Sequence, residues 1–188
     1  MTNFLEPYNT KWKTEFENLK WLLTTELEGF AINIQHVGST AIRGLFAKPI
    51  LDIDIILNNK TFLGDIAAKL KELGYISKGE QGIPGRFAFR QTSDLTPRTT
   101  ILKKWQTHHL YVCFSDSLAL KNHLLFRDAL LNDEGLSERY SQLKRSLIAE
   151  PDMTREVYTK RKTEFILSVL TTQGVEKKEL EQVKDANT

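Results

Sequence analysis

HVGSTAIRGLFAKPILDIDIIL, residues 36–57, places two carboxylates, Asp52 and Asp54, one residue apart inside an apolar run. The alternation in ILDIDIIL predicts a strand over about residues 50–57. Period 2 puts Asp52 and Asp54 on one face, with Leu51, Ile53 and Ile55 on the opposite, core-facing side. At a rise of roughly 3.3 Å per residue the two acids stand about 7 Å apart at the backbone and repel each other. Burying them unpaired would be costly. A divalent cation resolves the repulsion, because Mg²⁺ takes one or two carboxylates together with substrate phosphates. A solvent-facing edge strand or a pair of salt bridges would also tolerate them, so the pair alone does not decide the matter.

The residues just upstream favour a ligand. Gly38, Ser39 and Thr40 follow a second alternating segment, FAINIQHV, which reads as a strand over about residues 31–37. Glycine lets a backbone approach a ligand closely. Successive amides at a turn make an anion site, and the hydroxyls of Ser39 and Thr40 add donors. An ordinary turn with a helix cap is the plainer alternative. Together, a phosphate cradle and a carboxylate pair supply both halves of a site for a nucleoside triphosphate and its metal.

Around this stretch the chain alternates helices and strands. Trp12, Phe16, Leu19, Leu23 and Leu27 recur at helical spacing, predicting a helix over about residues 9–28 capped by Asn9 or Thr10. KTFLGDIAAKLKELG reads as an amphipathic helix ending at Gly74. YISKGEQGIPGRFAFRQ mixes strand with a turn at Gly82–Gly85, and HHLYVCF is a further strand. Residues 117–149 read as helix in at least two pieces, and REVYTKRKTEFILSVLTT as a final helix. The expected fold is α+β, a small mixed sheet flanked by helices, in one domain over residues 1–170. Residues 171–188 read as a charged tail, a frayed helix or disordered.

Composition bounds the function. The 188 residues suit one domain. A net charge of +2, from 26 basic and 24 acidic residues, does not point to nucleic acid. The single cysteine, Cys113, excludes an internal disulfide and reads as a buried thiol. No apolar run reaches the ~20 residues of a membrane span, and the first residues lack a signal peptide's apolar core. The expectation is a soluble, cytoplasmic protein with no membrane contact.

A strand, Gly-Ser, twelve intervening residues and Asp-x-Asp on an apolar strand resemble the signature of the nucleotidyltransferase superfamily of the polymerase-beta type. HVGSTAIRGLFAKPILDIDI, GYISKGEQGIPGRFAF and THHLYV, with EPYNTKWKTEFENLK, HLLFRDAL and YTKRKTEFI, more specifically resemble the GrpB family over about residues 5–170. That resemblance implies that Gly38 and Ser39 hold nucleotide phosphates and that Asp52 and Asp54 hold Mg²⁺ or Mn²⁺. The implied activity is transfer of a nucleotidyl group from a nucleoside triphosphate to an unknown acceptor. Superfamily members often carry a third carboxylate on a neighbouring strand. The comparable strand here, HHLYVCF, offers His108 and His109, which alternation sends to opposite faces. His109 is favoured for the site, as a general base or metal ligand. Arg43 stands where the GrpB pattern implies proline.

Further candidates surround this core. His36 is a possible third ligand or an orienting group. Lys48 is placed to reach phosphate or Asp52, and Arg86, presented by the Gly82–Gly85 turn, to clamp phosphate. Arg90 is a weaker clamp, and Glu80 a substitute for the missing acid. His123, Arg127 and Asp128 read as a network on a helix surface, and Lys160–Lys162 as a solvated face. Two other functions fit the same residues. One is a binding module that holds a nucleotide or coenzyme fragment without transfer. The other is a hydrolase with Asp52, Asp54, His36 and His109 around a transition metal.

Overall fold

The structure, a computed structural model, describes residues 5–185. Residues 1–4 of the expected domain and 186–188 of the expected tail lie outside the described residues. The chain opens with helix α1 (Lys11–Glu26), with Asn9 accepting a hydrogen bond from the Lys11 amide at 3.0 Å. Strand β1 (Ile32–Val37) leads into a single 3₁₀ turn at Ser39–Ala41, and strand β2 (Leu51–Leu57) follows. Helix α2 (Leu63–Glu72), strand β3 (Tyr75–Ser77), strand β4 (Arg86–Gln91) and strand β5 (His108–Phe114) come next. Helices α3 (Leu118–Asn132), α4 (Glu134–Ala149) and α5 (Arg155–Thr172) then run almost without interruption. Residues 177–185 of the expected tail form a further helix, α6, tied back by Lys121 to Glu179 at 2.8 Å.

The five strands form one mixed sheet in the order β1-β2-β5-β4-β3. Only β2 and β5 run parallel, and the long connection through α2, β3 and β4 supplies the crossover that a parallel pair needs. The alternation seen in the sequence sorts the sheet into two faces. Leu51, Ile53, Ile55, Leu57, Leu110 and Val112 are buried against Trp12, Phe16, Leu19 and Leu23 of α1 and Ile66 and Leu70 of α2. The other face carries the acids and is partly roofed by α3.

A second apolar cluster fixes the loop between β1 and β2. Ile42 and Leu45 from that loop pack with Leu130 and Tyr140, and with Phe126 and Phe165, of the helical half. Helices α3, α4 and α5 start on side-chain caps from Ser117, Asp133 and Thr154. The glycine-serine turn is thus held between the sheet, α1 and α4.

Candidate functional site

Strand register assembles the site. In β2 Asp52 pairs with Val37 of β1 and His109 of β5, and Asp54 with Gln35 and Tyr111. Arg86 and Arg90 of β4 pair with Cys113 and His109 of β5. Asp52, Asp54, His109, Tyr111, Arg86 and Arg90 therefore share one face. Ile53, His36 and His108 share the other.

Gly38 shows how close the turn lies to the acids. Its φ is +69°, and a Cβ added there would stand 2.2 Å from Asp52 Oδ2. Any side chain at this position would displace the carboxylate, so glycine is required by contact as well as by backbone angle. Ser39 Oγ accepts a 3.0 Å hydrogen bond from Lys144 Nζ of α4. Lys144 also donates to the Phe46 carbonyl and lies 4.6 Å over the Tyr140 ring. Burial, with a smaller push from Lys162, brings the Lys144 pKa down to about 7. Lys48 and Lys162 stand over the Tyr158 ring at 5.6 and 5.9 Å. Burial also lowers the Lys162 pKa, against a pull from Asp52 and with a push from Lys48. Lys162 is half-buried, unlike its exposed neighbours Lys160 and Arg161, so the basic run is not wholly a solvated face.

Each acid has a histidine. His109 Nδ1 lies 2.9 Å from Asp52 Oδ1, and His123 Nδ1 of α3 lies 2.7 Å from Asp54 Oδ2. A carboxylate accepts, so both nitrogens donate. Asp54 is fully buried, and its Oδ1 has no hydrogen-bond partner. The two acids differ in exposure: Asp52 is a third exposed in its side chain, whereas Asp54 is closed off from solvent. Burial works against a charged His123, but the charge and hydrogen bond of Asp54 outweigh it and raise the His123 pKa. Beside them the guanidinium of Arg86 stacks 4.6 Å over Tyr111, with its buried Nε unpartnered.

Several candidates serve other ends. His36 is on the opposite face, stacked on Phe16 with centroids 4.6 Å apart. The Thr40 hydroxyl donates to the Ile50 carbonyl at 3.3 Å, so His36 Nε2, 3.0 Å away, donates to Thr40. Neither residue turns toward the acids, and burial lowers the His36 pKa to about 4. The geometry thus removes His36 from the ligand set and the Thr40 hydroxyl from the phosphate cradle. Glu80 accepts from the Gly85 amide at 2.6 Å, which closes its turn and leaves it outside the site. Arg127 ties α3 to β1 through Gln35 Oε1 at 2.8 Å and the His36 carbonyl at 3.1 Å. His123, Lys144 and Lys162 join this face or its turn without a local sequence pattern that places them there. His123 carried the nearest signal, as a histidine one turn before Arg127 within HLLFRDAL.

Among the described residues, no three His, Cys, Asp or Glu side chains are grouped as metal ligands. The four-ligand set Asp52, Asp54, His36 and His109 is not assembled, because His36 faces away. Two carboxylates do fit a hard divalent cation shared with phosphate oxygens. Asp54 Oδ1 is a buried oxygen without a partner, and Asp52 Oδ2 faces the glycine turn.

A mixed sheet with a glycine-serine turn against an Asp-x-Asp strand is the nucleotidyltransferase-like fold. The Cid1 poly(U) polymerase, in a structure bound to MgGTP, matches at a TM-score of 0.52 and 15% identity, over 75% of this chain and 44% of that one. A model of the GrpB protein family matches residues 3–172, and the chain belongs to that family. The glutamate-rich protein GrpB of Alkalihalophilus pseudofirmus is 32% identical over 88% of this chain and 92% of its own length. The protein YqkA of Bacillus subtilis is 32% identical over 85% of this chain, which spans only 43% of that longer relative. A crystal structure of GrpB from Enterococcus faecalis matches with a TM-score of 0.72 and 26% identity, over 97% and 98% of the two chains. No helix among the described residues is long and apolar enough to cross a membrane.

Proposed function

We propose that this chain binds a nucleoside triphosphate with Mg²⁺ or Mn²⁺ and transfers its nucleotidyl group to an acceptor. The observation that carries this reading is the contact between the Gly38 turn and Asp52, where a Cβ would meet Oδ2 at 2.2 Å. It supports a reading in which this turn cradles phosphate beside a metal held by Asp52 and Asp54. Asp52 and Asp54 would hold the metal, which when bound neutralises phosphate charge and polarises the α-phosphorus. The Gly38-Ser39 turn offers backbone amides to the phosphates. Lys144 donates to Ser39 within that turn, and a bound phosphate would favour its charged form; Lys48, Lys162 and Arg86 would add further cationic groups. His109 donates through Nδ1 to Asp52, so that in its neutral form the ring would carry its lone pair on Nε2. That nitrogen is suited to take the proton of an acceptor hydroxyl as the oxygen attacks and pyrophosphate leaves.

A binding module without transfer is the second reading. Asp54 is already paired with His123, and a histidine stands where a third acid would serve. One experiment separates the two. Calorimetry with a non-hydrolysable nucleoside triphosphate analogue, with and without Mg²⁺ or Mn²⁺, is run on wild type and Asp52→Asn. Pyrophosphate release is then followed with each natural triphosphate and a panel of hydroxyl acceptors. Metal-dependent binding lost in the variant, with acceptor-dependent pyrophosphate release, supports transfer. Binding without release supports the module, and no binding of any triphosphate overturns both.

A further inference from the structure

The two dyads divide the carboxylate oxygens evenly. Asp52 gives Oδ1 to His109 and turns Oδ2 to the Gly38 turn. Asp54 gives Oδ2 to His123 and keeps a buried Oδ1 without a geometric hydrogen-bond partner, with the Cys113 thiol interacting with the same carboxylate. Tyr111 lies between the two histidines, its ring centroid 6.4 Å from His109 and 6.2 Å from His123. His123 is not a loose side chain that happens to meet an acid. Ser117 caps the start of α3, and Arg127, one turn beyond His123, ties that helix to Gln35 and the His36 carbonyl. The helix is held on both sides of the histidine.

Paired cations about 3.5–4 Å apart need carboxylate oxygens that bridge or crowd around both. Here half of the oxygens are engaged by Nδ1–H donors, and the β5 residue beside Asp52 is His109 rather than an acid. We propose that His123 is a positioning residue that holds Asp54 so that only Oδ1 faces the ligand, and that the site consequently takes a single divalent cation. The inference rests on the reading of Asp52 and Asp54 as metal ligands. His123 makes no contact with the metal itself. It acts as the outer hydrogen-bonding layer that fixes a ligand's orientation, a layer whose loss typically lowers metal affinity 10–100-fold.

The test uses Mn²⁺ alone as the probe, with free Mn²⁺ read by electron paramagnetic resonance and heats by calorimetry. Wild type is expected to bind one Mn²⁺ per chain. His123→Leu is expected to weaken binding at least tenfold. His123→Asn, whose amide places a donor near the lost Nδ1, is expected to recover most of that loss. Nitrogen NMR of wild type should show the His123 Nδ1–H resonance retained but shifting in step with Mg²⁺ occupancy, a metal-linked change that a merely structural role would not produce. Two Mn²⁺ per chain, unchanged affinity in folded His123→Leu, or an asparagine variant as impaired as the leucine one overturns the inference and leaves the metal reading intact. Absence of Mn²⁺ binding by wild type overturns both. If His123→Leu does not fold, the stoichiometry, the asparagine variant and the NMR signal still decide.

Discussion

The four histidines of this chain divide between the two faces of one sheet, and the division separates those with neutral partners from those paired with carboxylates. His36 and His108 face α1 and the β3 edge. Each meets a neutral partner: His36 the Thr40 hydroxyl, and His108 the Tyr75 hydroxyl at 2.7 Å. His108 Nδ1, 2.8 Å from the Gln106 carbonyl, must donate there, so its Nε2 accepts from Tyr75. Burial lowers both pKa values to about 4. His109 and His123 lie on the other face and each donates to an aspartate. Neighbouring residues of β5, His108 and His109, thus take opposite parts because a strand reverses its side chains at every step. Residue type says little here; register assigns the role.

Removing one histidine of the adjacent pair at a time should give opposite results. His108→Ala would leave a cavity and an unpaired buried Tyr75 hydroxyl, at a cost of about 3 kcal/mol. Chemical denaturation should show that loss, while the folded fraction keeps its affinity for metal and nucleotide. His109 is half exposed, and its pair with Asp52 is expected to contribute under about 1 kcal/mol. His109→Ala should therefore leave stability nearly intact and, on the proposed transfer reaction, lower the rate of pyrophosphate release. Equal destabilisation by both would remove the distinction between the faces.

Gly38 comes next, because it joins the faces at the turn. Gly38→Ala forces the backbone at φ +69° and drives a methyl group into Asp52. The strain is worth about 1–2 kcal/mol. Displacing the carboxylate should weaken metal-dependent nucleotide binding by more than tenfold in calorimetry. Asp52→Asn in the same background should add little further loss, since both changes damage one contact.

How much of this was legible in the sequence follows from the range over which each signal acts. The alternation of ILDIDIIL placed both acids on one face and the aliphatic residues on the other, because side-chain period is a local property. His36 could not be placed that way. Its face depends on the antiparallel register that sets it opposite Ile53, and that register is decided by pairing between strands. His123 and Lys144 reach Asp54 and Ser39 across 69 and 105 residues of chain. Each sits on a helix whose own sequence only reports that it is amphipathic. Lys162 was hidden inside a basic run, where the pattern cannot tell the one lysine turned inward toward Tyr158 from its solvated neighbours.

The two histidine classes also predict opposite pH dependence. His108 has a folded pKa of about 4 against an ordinary value of 6.5. Below pH 6.5 the unfolded state takes up the proton first, so stability falls from there down to about pH 4. His123 has a raised pKa, so its contribution is complete below pH 6.5 and is lost as pH rises through the folded value. Thermal melts across pH should give a dome. His108→Gln should flatten its acid limb, and His123→Asn its alkaline limb. A wild-type curve unchanged by either variant would show that neither histidine titrates with folding.

The smallest expected effect falls on Lys144, and it tests whether the lysines of the helical half belong to the site at all. With its pKa lowered to about 7, Lys144 binds fewer protons folded than unfolded between pH 7 and its ordinary value of 10.5. Its burial therefore costs stability most at pH 7 and below, and the cost is relieved as pH rises toward 10.5. Lys144→Met keeps the length of the side chain and removes the charge. It loses the hydrogen bonds to Ser39 and the Phe46 carbonyl, so the two effects nearly cancel and stability at pH 7 should move by less than about 1 kcal/mol. Phosphate binding behaves differently. An anion at the Gly38-Ser39 turn favours the charged lysine, raises its pKa and draws a proton from solution. Binding of a triphosphate at pH 8 should be accompanied by proton uptake, seen as a dependence of calorimetric heat on buffer ionisation enthalpy. That dependence should shrink in Lys144→Met, with affinity falling about tenfold, the worth of one charge-assisted hydrogen bond. Unchanged affinity and unchanged proton uptake would confine Lys144 to holding α4 against the turn.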